Sequence, residues 1–194
     1  MTTNGALTSL VSFNSADTNG YYPATGLALG ADGNFYGVAS TGGSGLSGTL
    51  FKMTYSGVLS LVVALTSANS SPVAPLVQGV DGNLYGSDTY GNGAIFSVTP
   101  AGTQTALHTF SGGDGSSPTA GLVQGADGNF YGTTEYGGTG GDGTIFQISP
   151  SGAFSSLFSF GINGTNNGFN LDAPLVQNVI GNLYGTTSAG GRLG

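Results

Sequence analysis

The chain has 194 residues, only 2 of them basic and 9 acidic (net charge −7), with 38 glycines and neither cysteine nor tryptophan. Charged residues make up 6%, against about 25% in an ordinary soluble domain, which excludes a basic nucleic-acid-binding surface. The lack of cysteine excludes a disulfide scaffold and a thiolate zinc site, and 11 Phe with 9 Tyr argue against disorder.

No apolar run is long enough for a membrane-spanning helix, and nothing after Met1 resembles a secretory leader, so membrane insertion is not expected. The chain repeats itself instead. Asp32-Gly33-Asn34-Phe35-Tyr36-Gly37 returns as Asp81-Gly82-Asn83-Leu84-Tyr85-Gly86 and as Asp127-Gly128-Asn129-Phe130-Tyr131-Gly132. A fourth copy reads Ile180-Gly181-Asn182-Leu183-Tyr184-Gly185. A second landmark follows the first three: Gly48-Thr49-Leu50-Phe51, Gly93-Ala94-Ile95-Phe96 and Gly143-Thr144-Ile145-Phe146.

Four strand-like runs, a to d, fill each period. In the third copy they are 121–125, 129–134, 144–149 and 153–160, each rich in Val, Ile, Phe, Tyr and Thr and bounded by turn residues. Nowhere do apolar residues recur at helical spacing. The expectation is an all-β fold: a β-propeller of four-stranded antiparallel blades, with about four repeat units in one domain spanning 1–194.

In chain order, residues 4–13 (NGALTSLVSF) align with 151–160, so 1–22 is predicted to hold strand d of an incomplete blade. Full repeats follow at 23–71, 72–117 and 118–170, and a partial repeat with a and b at 171–194. That makes fifteen predicted strands. The a–b connection fits a type I turn ending in a left-handed glycine, because Ile180 would be strained in a type I′ turn. Three readings of the ends remain open: a piece of a longer propeller, a four-bladed ring with one thin blade, or two chains forming a larger ring. An open sheet edge would favour self-association.

Loop lengths single out one face. From Tyr of b to Phe of c the separations are 15, 11 and 15 residues, and the d–a stretches also vary. The a–b and c–d turns do not. In an antiparallel blade the b–c and d–a connections leave from the same end, which makes that end the functional candidate.

The pattern of D-G-N-[FL]-Y-G, a Gly-rich loop and G-T-[IL]-F resembles the GloVer tandem repeats of bacterial choice-of-anchor tandem repeat proteins. The resemblance implies a propeller-like domain that is extracellular or at the cell surface, and it carries no catalytic residues over.

Other motifs read as structure. Two G-x-G-x-x-G matches (residues 43–48 and 138–143) precede a strand rather than a helix and hold no dinucleotide. Asp142 in a calcium-roll-like stretch lacks the tandem copies such a roll needs. Asp32, Asp81 and Asp127 are expected to serve their turns, so no metal, other cofactor or catalytic residue is assigned. His108 is expected at a surface or between blades, the repeated Tyr and Phe columns in the core, and Gln78, Gln124 and Gln177 in a structural role. The candidate ligand-binding residues lie in the variable loops: Tyr21, Tyr22, Asn163, Asn166, Asn167 and Phe169 in d–a, and Asp88, Tyr90, Glu135 and Tyr136 in b–c. Aromatic rings beside amides and carboxylates suit a carbohydrate or surface polymer.

Overall fold

The structure, a computed structural model, describes residues 5–14, 19–23, 25–43, 47–65, 72–161 and 168–191. Fifteen strands are present among them. The first blade comprises β1 (Tyr21–Pro23), β2 (Ala28–Leu29), β3 (Phe35–Thr41), β4 (Thr49–Met53) and β5 (Leu59–Ala64). The second holds β6 (Val77–Gln78), β7 (Leu84–Asp88), β8 (Ala94–Val98) and β9 (Gln104–Thr109). The third holds β10 (Val123–Gln124), β11 (Phe130–Thr134), β12 (Thr144–Ile148) and β13 (Phe154–Ser159), and a last pair is β14 (Val176–Gln177) with β15 (Leu183–Tyr184). All pairings between strands are antiparallel, in the order a-b-c-d within each blade. The all-β propeller architecture expected from the repeats is the architecture present.

The turns explain why the motif has its letters. Gly33 N–H donates to the Gly30 carbonyl (2.9 Å) and Gly30 N–H to the Asn34 carbonyl (2.8 Å), closing a three-residue loop. Its last residue has φ +78 at Gly33, and +83, +81 and +90 at Gly82, Gly128 and Gly181. That is the left-handed region, which glycine enters without a Cβ penalty. Asp127 caps the loop: its Oδ1 accepts from Asn129 N–H at 3.2 Å, and its Oδ2 from the Asn129 amide and the Tyr131 hydroxyl at 2.8 Å each. Asp32 and Asp81 repeat this set. In the fourth copy Ile180 cannot cap, and Asn178, where the other copies have glycine, takes over. Its Oδ1 accepts from Ile180 and Asn182 N–H (3.1 and 2.9 Å), and its amide donates to Tyr184 Oη at 3.2 Å.

Blades meet through apolar seams. Tyr36, Val38 and Leu50 of the first blade pack with Leu76, Leu84, Phe96 and Val98 of the second. Tyr85, Ile95 and Phe110 of the second pack with Leu122, Phe130, Phe146 and Ile148 of the third. Within each blade a ring packs on bare backbone: a Cβ on Gly132 would lie 2.6 Å from Phe146 Cζ and 2.8 Å from Leu122 Cδ2. Gly37 and Gly86 meet Phe51 and Phe96 in the same way. Glutamine adds a polar tie to each seam. Gln124 Oε1 accepts from Val80 N–H of the preceding blade (3.0 Å) while its amide donates to its own Gly128 carbonyl (3.0 Å). Gln78 and Gln177 do the same. This is the structural role expected of the series that Leu29 interrupts.

Three details depart from the sequence reading. Strand a is two residues rather than five in the third blade, because Leu122 turns inward onto Gly132 and leaves the ladder. Fifteen strands are found, but not the predicted set: 5–14 forms no strand, and β1 takes its place in the count. The segment 5–14 still lies where a d strand belongs. Phe13 packs on Phe51 (5.0 Å between centroids) as Phe110 packs on Phe146 (5.4 Å). The Leu10 carbonyl sits over Gly57 as the Val62 carbonyl sits over Gly102. It packs against the next blade without a c strand to pair with among the described residues.

Gly132→Ala is expected to destabilise by about 1–3 kcal/mol through overpacking. Gly185→Ala, which meets only Leu175, should cost clearly less; denaturant melts of the two variants check this.

The Asp–Tyr turns set a pH window. Hydrogen bonds from the Asn129 side chain and Tyr131 hydroxyl hold the Asp127 carboxyl below its ordinary range, and the Asn34 side chain does so for Asp32. Burial, then the bond to the carboxylate, pushes the Tyr36 and Tyr85 phenols up to about 12. Lowered carboxyl pKa values give stability that is present above about pH 4 and lost as pH falls through the folded values. Raised phenol values give stability that is full below about pH 10 and lost as pH climbs toward 12. Thermal midpoints should therefore plateau between these limits, and phenolate absorbance should show a late-titrating class of tyrosines.

Candidate functional site

The b–c and d–a connections emerge at one end of the blades, where they pair with each other. Tyr21 pairs with Thr41, Ser116 with Tyr136, and Phe169 with Ala189. Counted from the Tyr of the repeat motif, Thr41, Tyr90, Tyr136 and Ala189 are the same position. Three such rungs are seen among the described residues, each with one aromatic from one strand or the other, Tyr21, Tyr136 and Phe169; Tyr90 stands at the equivalent sequence position of the second unit, in a turn where Gly93 N–H donates to its carbonyl. Tyr90 is 55% and Tyr136 50% exposed, and Phe169 is exposed as well.

Each of the other candidates has a definite place. Tyr22, at φ +58, is exposed with its ring 5.1 Å from that of Tyr21. Both line a cavity of about 350 Å³ with Phe13, Asn14 and Pro23. Glu135 sits beside Tyr136, and its hydrogen-bonded carboxylate holds the Tyr136 phenol above the ordinary range. Asn163, Asn166 and Asn167 lie outside the described residues. Among the described residues the variable end thus presents these candidates as separate clusters.

Asp88 is different in kind. It is 5% exposed, burial pushes its carboxyl up, and its Oδ1 accepts from Tyr90 N–H at 3.3 Å. It lines a cavity of about 310 Å³ with Tyr90, Gly93, Ala94, Phe96, Gln104, Ala106 and Thr109. The second and third blades differ in the residues around it. In the third blade Thr134 and Thr144 hydrogen-bond to each other (2.8 Å), Phe154 stacks 5.6 Å from Phe146, and the long b–c loop closes over Ser159 through Gly140 N–H (3.1 Å). The second blade has Asp88 and Ala94 for the two threonines, Gln104 for Phe154, and a b–c stretch four residues shorter. Gln104, Ala94 and Thr109 were not singled out by sequence. Their signal was departure from the repeat at three positions of one copy.

His108 lies between blades, its ring stacked 3.7 Å from that of Phe154 and its Nε2 2.8 Å from Asp114 Oδ2. The Ser111 hydroxyl donates to Asp114 Oδ1 (2.9 Å), so both groups converge on one carboxylate and no Ser–His pair forms. Among the described residues no three His, Cys, Asp or Glu side chains come together as a metal site.

Four-stranded antiparallel blades set side by side, with paired variable loops at one end, define a β-propeller repeat protein. The Gloeobacter/Verrucomicrobia repeat family matches residues 87–194, more than half of the chain. The chain belongs to that family. Among solved structures it is similar to a gluconolactonase from Xanthomonas campestris (TM-score 0.58, 14% identity, 84% of this chain and 55% of that one). It is also similar to virginiamycin B lyase from Staphylococcus aureus (0.53, 14%, 83% and 54%) and to a luciferin-regenerating enzyme (0.55, 16%, 84% and 53%). At these identities the likeness concerns the fold, and the chain spans little more than half the length of those proteins. No curated protein matches it by sequence alone.

Gln104→Phe, which copies Phe154 onto the second blade, is expected to fill the cavity beside Phe96 and stabilise by about 0.5–2 kcal/mol. Thermal melts against the parent chain check this.

Proposed function

We propose that the chain is a noncatalytic binding module, secreted or displayed at the cell surface, that holds a carbohydrate or surface polymer on its variable loop end. The observation that carries this reading is the recurrence of an aromatic ring at the loop end of each unit: Tyr21, Tyr136 and Phe169 on equivalent rungs, and Tyr90 at the sequence position of Tyr136. Equivalent rings spaced by the blade repeat suit a ligand that itself repeats. Stacking on a sugar face uses the apolar side of the ring, and Tyr hydroxyls and nearby Glu135 supply hydrogen bonds at its edge. Among the described residues the acidic groups serve turns, a buried position and loop edges, and none forms an acid–base pair at a shared cleft of the loop end. The extracellular or surface setting rests on the resemblance to surface repeat proteins.

A second reading, self-assembly, is favoured by the β15 edge. Among the described residues β15 pairs with β14 alone, and an unpaired strand edge is a template for another strand.

A glycan array separates the two. Signal on a polysaccharide that weakens on the order of tenfold in Tyr136→Ala supports binding. A silent array with a mass that rises with concentration in light scattering favours assembly.

A further inference from the structure

The d–a connection between the second and third blades is held by a side-chain pair that the repeat does not require. We infer that His108 and Asp114 are positioning residues for the loop end, an assignment that rests on the binding reading proposed above. They fix the connection that carries the Ser116–Tyr136 rung, and with it the place at which the Tyr136 ring is presented.

Three observations lead there. First, the connection is poorly suited to order on its own. Residues 111–116 read Ser-Gly-Gly-Asp-Gly-Ser, and glycine gives up more conformational freedom on folding than any other residue. Gly112 and Gly115 each donate to the other's carbonyl, at 3.1 and 3.4 Å, with φ +89 and +130. Two such bonds are a small return for ordering three glycines.

Second, one side chain closes the turn and ties it to the blades. Asp114 Oδ1 accepts from the Ser111 N–H (2.8 Å) and the Ser111 hydroxyl (2.9 Å), and Oδ2 accepts from His108 Nε2 at 2.8 Å. Burial opposes the charge, but the Ser111 N–H, the Ser111 hydroxyl and His108 together hold the Asp114 carboxyl below its ordinary range. An ionised carboxylate only accepts, so the shared hydrogen is carried by Nε2. The histidine cannot follow a moving loop. Its ring stacks 3.7 Å from Phe154 of the third blade, with the Phe110 ring edge-on at 4.9 Å.

Third, the clasp leads straight to the rung. Two residues past Asp114, Ser116 N–H donates to the Tyr136 carbonyl at 2.7 Å, and Tyr136 N–H returns a bond of 3.1 Å. Between them Gly115 lies on the third blade, where a Cβ would stand 2.6 Å from Thr134 Oγ1 and 2.9 Å from Thr144 Oγ1. The other full units have Val63 and Phe158 in place of His108, so the pair belongs to this connection alone. A ring seated before its ligand arrives spares the cost of ordering it on binding.

The test is amide hydrogen exchange resolved by residue, with thermal melts to confirm that each variant folds. His108→Phe copies Phe158 and keeps a ring against Phe154 while removing the donor. It is expected to speed exchange at Ser116 and Tyr136 about tenfold, with Phe146 in β12 at the parent rate. His108→Gln, which keeps an N–H donor, should restore most of the protection. In an Asp114→Ala background His108→Phe should add nothing, because the two act as one pair. On a polysaccharide that the parent chain binds, His108→Phe should weaken binding about threefold or more with Tyr136 still present. Unchanged exchange at the rung, an equal rise at Phe146, a full added effect in Asp114→Ala, or undiminished binding by His108→Phe would each overturn the assignment. Exchange is read without a ligand, so a silent glycan array beside a faster rung counts against the binding reading and not against the clasp.

Discussion

The contact on which the molecule depends is between a phenylalanine ring and a backbone without a side chain. Phe51, Phe96 and Phe146 on strand c of each blade pack their ring tips against Gly37, Gly86 and Gly132 on strand b, with Leu27, Leu76 and Leu122 beside the same glycines. With few charges to form ion pairs, cohesion has to come from such buried area and from the sheet ladders. The contact also orders the rest of the blade. The c–d ladder slips by one residue at the same place in all three blades, between Leu50 and Phe51, Ile95 and Phe96, and Ile145 and Phe146. A bulge there bends strand d, so that Leu65, Phe110 and Phe160 return to the seam as buried residues.

Polar groups in this protein are used sparingly and in fixed roles. Each turn aspartate satisfies an asparagine and a tyrosine at once, and each glutamine ties its own turn to the preceding blade. The fourth copy shows that the role matters more than the letter: Asn178 supplies from two residues upstream what Ile180 cannot. The price of a lost cap is avoided by a residue that the other copies could not hold, since at Gly125 a side chain would strike Tyr131 and Asp127. Tyr184 is exposed where Tyr131 is buried, and this leaves room for Asn178.

Much of the scaffold was legible because repetition converts single residues into positions. Four copies of one turn distinguish a glycine that must be left-handed from one that is merely present, and three equal c–d lengths identify the constrained end. What escaped was everything that depends on which units face each other. The residues 5–14 have the letters of a strand but no neighbouring c strand, and letters do not supply partners. The cavity at Asp88 is lined by residues of a single unit, Gln104 and Ala94 among them, and shows only when that unit is set beside the others. Tyr90 and Tyr136 were readable as equivalents. That Tyr21 and Phe169 share their rung from the opposite strand was not, since it follows from the pairing of d–a with b–c.

That pairing explains how a protein of near-identical units can still be specific. At the turn end, each residue is held both within its own loop and by the next blade's glutamine, so a change there disturbs two units. At the loop end the rungs are backbone to backbone: Ser116 N–H donates to the Tyr136 carbonyl at 2.7 Å and Tyr136 N–H to the Ser116 carbonyl at 3.1 Å. Such rungs survive any side chain that tolerates an extended backbone. Thr41 and Ala189 can replace Tyr, and Ser116 can replace Phe169, without loss of the connection. The side chains on these rungs are therefore released from holding the two connections together. Tyr136 and Phe169 are exposed aromatics on rungs where Ala189 and Ser116 show that a smaller residue serves the backbone equally well, and it is on such side chains that the proposed binding role rests.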